Sequence, residues 1–121
     1  MKITAKKEQD GLILAKELEQ GNEIYSAILW ISNASSLKLM FGVEEHTDDI
    51  VRQFKESVED IIVKNNLSID LDEVEIKRSD DDTFKLIRSL ISTSSGYSSI
   101  SLSGNFVNGI RTPDCFVYRL L

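Results

Sequence analysis

Between residues 47 and 65 the apolar positions Ile50, Phe54, Val58 and Ile61 recur at spacings of four, four and three, with Val51 and Ile62 beside them. That is the stripe of one helical face, and it predicts a helix over about 47–65. Thr47 or Asp48 can cap its start by accepting an unpaired backbone N–H. Asp48 and Asp49 lie in the first turn, where the helix dipole favours negative charge, and Lys64 with Asn65-Asn66 closes the end. Residues 23–44 show the strand period instead. Tyr25, Ala27, Leu29 and Ile31 alternate with Ile24, Ile28 and Trp30, so this segment is apolar on both faces and belongs inside a covered sheet. A turn over Asn33-Ala34-Ser35-Ser36 leads to Leu37, Leu39, Phe41 and Val43, which alternate with Lys38, Met40 and Gly42.

Upstream, Asp10-Gly11 has the signature of a two-residue hairpin turn between Ile3, Ala5 and Leu12, Leu14. A helix over residues 5–20 competes, because Lys, Glu, Ala and Leu are good helix formers, but it places Gly11 mid-helix at about 1 kcal/mol. The hairpin is preferred, giving a four-stranded antiparallel meander over residues 2–44. Further on, Val74 and Ile76 point inward from a strand at 71–78 while Glu73, Glu75 and Lys77 point out. Asp80-Asp81-Asp82 then caps a short helix carrying Phe84, Ile87, Leu90 and Ile91, in preference to the strand that Phe84, Leu86 and Leu90 also fit. Ser92–Gly96 reads as a loop, Ser99–Ser103 as a strand with serine out, Asn108-Gly109 as a hairpin turn, and Cys115–Leu121 as a final strand. Pro113 marks a bulge or an edge. The expected fold is α+β in a single domain, 1–121: a meander covered by the 47–65 helix, then a strand, a short helix and a C-terminal strand pair.

Composition sets the bounds of function. With 121 residues, 41% hydrophobic and 28% charged, the chain has the make-up of one globular domain. No apolar run approaches the roughly 20 residues of a membrane span, and residues 1–8 lack the apolar core of a secretory signal. One cysteine, Cys115, cannot make an internal disulfide, so a reducing, cytoplasmic setting is expected. Residues 44–82 carry fourteen acids against five bases, within a formal net charge of −6 for the whole chain. Such a surface repels phosphate backbones and anionic lipid, so no direct nucleic-acid or membrane binding is expected.

Candidate chemistry is sparse. His46 is the only histidine and sits among Glu44, Glu45, Asp48 and Asp49, as in a solvated helix entrance; no zinc site and no histidine-based triad follows from it. Cys115 has no basic neighbour in sequence to lower its pKa and reads as a buried structural residue. No Gly-rich phosphate loop is present. Glu75-Ile76-Lys77 puts a carboxylate and an ammonium on one side of a strand, as in metal-dependent nucleases, with Asp70 or Asp72 the nearest acids to complete such a site. Cross-strand ion pairing is the simpler use of Glu75 and Lys77. Asp80-Asp81-Asp82 lacks the spacing of a calcium loop. No cofactor and no metal is expected.

The reading that these features favour is a non-catalytic binding protein. Its acidic surface, with Glu44, Glu45, Asp48, Asp49, Asp80, Asp81 and Asp82 as contact residues, docks and inhibits a basic protein partner. The concrete case is a bacterial immunity protein that neutralises a cationic toxin. The alternative is an oligomeric structural or assembly subunit, or a secretion chaperone, of a phage or secretion system. Such a homo-oligomer would pair through edge strands, with residues 99–103 and the first strand as candidates. A nuclease using Glu75 and Lys77 comes third.

Overall fold

In a computed structural model of the chain, the residues described are 3–21, 25–33, 36–91, 97–104, 106–107, 109–111 and 113–121. The N-terminal hairpin does not form. Residues Ala5–Gln20 are one helix, α1, capped by Thr4, whose hydroxyl accepts the Lys7 N–H at 3.2 Å. Both residues of the Asp10-Gly11 pair have a helical use. Asp10 is fully buried and accepts the Ser68 N–H and hydroxyl, each at 2.7 Å, and the Lys6 ammonium at 3.1 Å. Gly11 lies where α1 touches Tyr118 and Trp30, and a side chain there would overlap the Tyr118 hydroxyl. The glycine answers a close approach between elements rather than a turn.

The central strands follow the predicted alternation. β1 (Ala27–Asn33) and β2 (Ser36–Val43) pair antiparallel, with Ile28 opposite Phe41 and Trp30 opposite Leu39. The turn residues 34–35 lie outside the described residues. Helix α2 (Asp48–Asn65) begins at Thr47, whose hydroxyl accepts the Ile50 N–H, and ends at Asn66 in the left-handed conformation, φ 51°. Because a helix rather than a tight turn connects them, β3 (Val74–Arg78) returns parallel to β2. Short helix α3 (Asp82–Arg88) follows, capped by Asp81, which accepts the Thr83 N–H. β4 (Ile100–Leu102) and β7 (Asp114–Leu120) form the C-terminal antiparallel pair. Between them β5 (Phe106–Val107) and β6 (Ile110–Arg111) make a separate small hairpin, and Gly109 beside its tip has φ 78°. The predicted 92–96 loop lies outside the described residues.

The result is α+β, with a five-stranded mixed sheet ordered β3-β2-β1-β7-β4 rather than a meander. β1 is central, as its two apolar faces require. One face carries Ile28, Trp30, Leu39 and Phe41 and meets Leu14 and Leu18 of α1 and Phe54 and Val58 of α2. The other carries Leu29, Ile31, Met40 and Val117 and meets Phe84 and Ile87 of α3. A bulge where β1 meets β7, at Ile28/Leu29, lets the adjacent residues Tyr118 and Arg119 both serve the α1 face. The Tyr118 hydroxyl accepts the Trp30 Nε1–H at 3.1 Å and donates to the Glu8 carbonyl. Arg119 bonds Glu19 at 3.1 Å and stacks over Tyr97 and Tyr25.

Candidate functional site

The parallel pairing of β2 with β3 places their C-terminal ends side by side. Val43 lies opposite Arg78, and the Ser79 N–H donates to the Val43 carbonyl at 2.8 Å. From this end the chain leaves β2 through Glu44-Glu45-His46-Thr47 into α2, and leaves β3 through Ser79-Asp80-Asp81 into α3. The seven acids singled out from sequence therefore lie on the two connections at this end of the sheet: Glu44, Glu45, Asp48 and Asp49 at the entrance to α2 on one face, and Asp80, Asp81 and Asp82 at the entrance to α3 on the other. Two of them, Glu44 and Asp80, line a groove of about 290 Å³ together with Arg78, Ser79, Lys85 and Arg88.

Those acids are not equivalent. Asp80 accepts Nε and Nη2 of Arg78 at 3.1 and 3.2 Å, and Asp49 pairs with Arg52 at 3.1 Å. Asp81 is half-buried and serves as the α3 cap. Glu44, Glu45, Asp48 and Asp82 are exposed and make no ion pair among the described residues. Arg88 is committed to the fold, donating to the carbonyls of Ser79 at 2.9 Å and Leu121 at 2.7 Å. The cations of this corner, Arg78, Lys85 and Arg88, fall in or after the third strand, and a linear charge count assigns two of them to a different segment. Other acids of residues 44–82 are spread more widely, with Glu56 and Glu59 lining a separate groove beside Asp48. Asp70, Asp72 and Glu73 lie at the opposite end of β3, where Glu73 pairs with Lys7 at 2.7 Å, so the fourteen acids are not one plate.

The other sequence candidates are placed as follows. His46 is exposed, and its Nε2 donates to the Ile76 carbonyl of β3 at 2.9 Å. Cys115 is buried, and burial, with Asp114 beside it, pushes its thiol up to about 11, so it is protonated at neutral pH. Glu75 and Lys77 share one face of β3, where their neighbours on β2 are Met40 and Gly42; the cross-strand charges expected for them are absent there. β2 itself carries no carboxylate. Asp70 and Asp72 lie in the single 3-10 turn region before β3, with the Asp70 N–H bonded to Glu73 and the Asp72 carbonyl bonded to Lys38. Asp80 and Asp81 turn to different partners, and among the described residues no three metal-ligating side chains are gathered. No helix of the described residues is long and apolar enough to cross a membrane.

The buried polar groups belong to the scaffold. Burial alone would raise the Asp10 carboxyl, but Ser68 and Lys6 outweigh it and hold Asp10 below the ordinary carboxylate value. The Tyr25 hydroxyl donates to the Ala15 carbonyl at 2.6 Å, and burial followed by its contact with Tyr97 drives its pKa far upward. Compared with known proteins, the chain matches no family model, no curated sequence and no solved structure at a significant level.

Proposed function

We propose that this is a non-catalytic binding protein that docks a basic protein partner at the corner formed by the ends of β2 and β3. In its concrete form it is an immunity protein that occludes the substrate cleft of a cationic toxin. The observation that carries this reading is that seven carboxylates lie on the two connections leaving one end of the sheet, four of them exposed and in no ion pair among the described residues. A cleft that holds phosphates is positively charged, and a cluster of carboxylates associates with it quickly and in a salt-sensitive way. In this reading Glu44, Glu45, Asp48 and Asp82 make the contacts, while Arg78 and Arg52 hold Asp80 and Asp49 in place at the rim.

The test is retention from a lysate of the source organism on the immobilised full chain. A variant carrying Glu44→Lys, Glu45→Lys, Asp48→Lys and Asp82→Lys is run in parallel, its fold checked by circular dichroism. A cationic protein held by the wild type, released as salt rises to about 0.5 M and lost with the variant is the expected result. Equal retention by the variant refutes the acidic docking.

A further inference from the structure

β3 is one edge of the sheet, and the direction of its main-chain groups follows from two observations. Val43 lies opposite Arg78 in parallel register, and the Ser79 N–H donates to Val43. In a parallel pair, alternate residues turn both main-chain groups to the same neighbour. Residues 75, 77 and 79 thus face β2, while Val74, Ile76 and Arg78 face off the sheet. Three of the outward groups are bonded within the chain: the Val74 N–H donates to Leu71, the Arg78 carbonyl accepts the Asp81 N–H at 3.0 Å, and the Ile76 carbonyl accepts His46 Nε2 at 2.9 Å. The outward set that remains is the Val74 carbonyl, the Ile76 N–H, one lone pair of the Ile76 carbonyl and the Arg78 N–H.

This set is complementary to itself. If a second copy of β3 runs antiparallel with Ile76 opposite Ile76, each Ile76 N–H meets the other copy's Ile76 carbonyl. Each Arg78 N–H meets the other copy's Val74 carbonyl. The groups that would complete the outer pairs, the Val74 N–H and the Arg78 carbonyl, are already bonded inside each chain. The same register sets Glu75 opposite Lys77 of the other copy, in the non-hydrogen-bonded pairing where side chains come closest. Inside one chain both are half-buried and neither has an ion pair among the described residues.

The opposite face agrees. On the α2 side lies a groove of about 450 Å³ lined by His46, which bonds the β3 edge, by Leu71 and by residues of α2 such as Val51 and Lys55. As the connection between β2 and β3, α2 lies over that strand pair, so joining two β3 edges puts the two α2 helices about two strand spacings, roughly 9–10 Å, apart. That is a helix-packing distance. The two-fold reverses one helix against the other, so the two α2 helices run antiparallel.

We propose that β3 is a homodimerisation edge, at which two copies join in an antiparallel register centred on Ile76 with reciprocal Glu75–Lys77 ion pairs. The inference needs neither the acidic corner nor its partner. Sedimentation velocity on the full chain from about 1 to 500 µM tests it. The wild type is expected to dimerise with rising concentration. Lys77→Glu and Glu75→Lys each convert two attractive pairs into two repulsive ones and weaken the dimer about tenfold or more. The double exchange Glu75→Lys/Lys77→Glu restores it, and an equimolar mixture of the two single variants forms a mixed dimer. A wild type that stays monomeric throughout, including one whose edge accepts only a foreign peptide, overturns the proposal. A dimer that neither the exchange nor the mixture restores does so too.

Discussion

Gly11 of α1 and Tyr118 of β7 touch so closely that a Cβ at residue 11 would overlap the phenol oxygen and stand 2.8 Å from Trp30 Nε1. Elsewhere in a helix, glycine to alanine gains about 1 kcal/mol. Here Gly11→Ala is expected to lower stability by about 2 kcal/mol, because Tyr118, the Trp30 indole and the Glu8 carbonyl are tied together and cannot yield separately. Urea unfolding checks this. Adding Tyr118→Phe, which removes the nearest atom, should recover part of the loss; a Gly11→Ala protein as stable as the wild type would contradict the contact.

Asp10 contributes a pH-dependent term. Its folded pKa lies below the ordinary value, so its stabilisation is present above the unfolded pKa, near 4, and is lost as pH falls through the folded one. Asp10→Asn is expected to destabilise the protein by about 2 kcal/mol at neutral pH, since Asn cannot accept from both Ser68 groups and Lys6 as a charge does. Its stability should also decline less steeply than that of the wild type between about pH 5 and pH 3. Parallel pH profiles for the two proteins would assign that slope elsewhere.

How far the sequence could be read depended on whether the deciding interaction was local. The α2 stripe, the Thr47 cap and the two-faced β1 are local properties, and the structure has them as expected. So is the Asp81 cap, which resolves residues 82–88 as a helix. The N-terminal third depended on partners 58 and more residues away. Ser68 makes the use of Asp10, and Tyr118 requires the absence of a side chain at Gly11; neither can be inferred from the Asp-Gly pair. The parallel return of β3 is likewise a consequence of tertiary topology, and it set the two acid-bearing connections at one end of the sheet. It also brought Arg78, Lys85 and Arg88 to the same corner, which summing charge by segment had hidden.

Arg119 should act as a clamp between α1 and the segment leading into β4. Its side chain is 8% exposed, lies 4.4 Å from the Tyr97 ring and bonds Glu19, while Tyr97 bonds Glu19 as well. Arg119→Met keeps much of the packing volume and removes the charge. We expect a loss of about 1–2 kcal/mol and faster hydrogen exchange at the Ser98 amide, which donates to Tyr118 next to the clamp. Unchanged exchange at Ser98 would confine the role of Arg119 to packing.

Separating the structural carboxylates of the corner from those offered to a partner gives a last prediction. Asp81 caps α3, and Phe84 and Ile87 of that helix cover one face of the sheet, so Asp81→Ala should cost about 1 kcal/mol and loosen that face. Asp80 and Asp49 answer exposed arginines, and their removal should change stability by less than about 0.5 kcal/mol. Glu44→Gln, Glu45→Gln and Asp82→Asn remove exposed charges with no ion pair among the described residues and should stay within about 0.5 kcal/mol as well. The proposed function requires these last changes to be nearly silent in unfolding yet to weaken partner retention, whereas Asp81→Ala should do the reverse. If unfolding measurements instead show Glu44 or Glu45 as costly as Asp81, those carboxylates are structural and the docking surface must lie elsewhere.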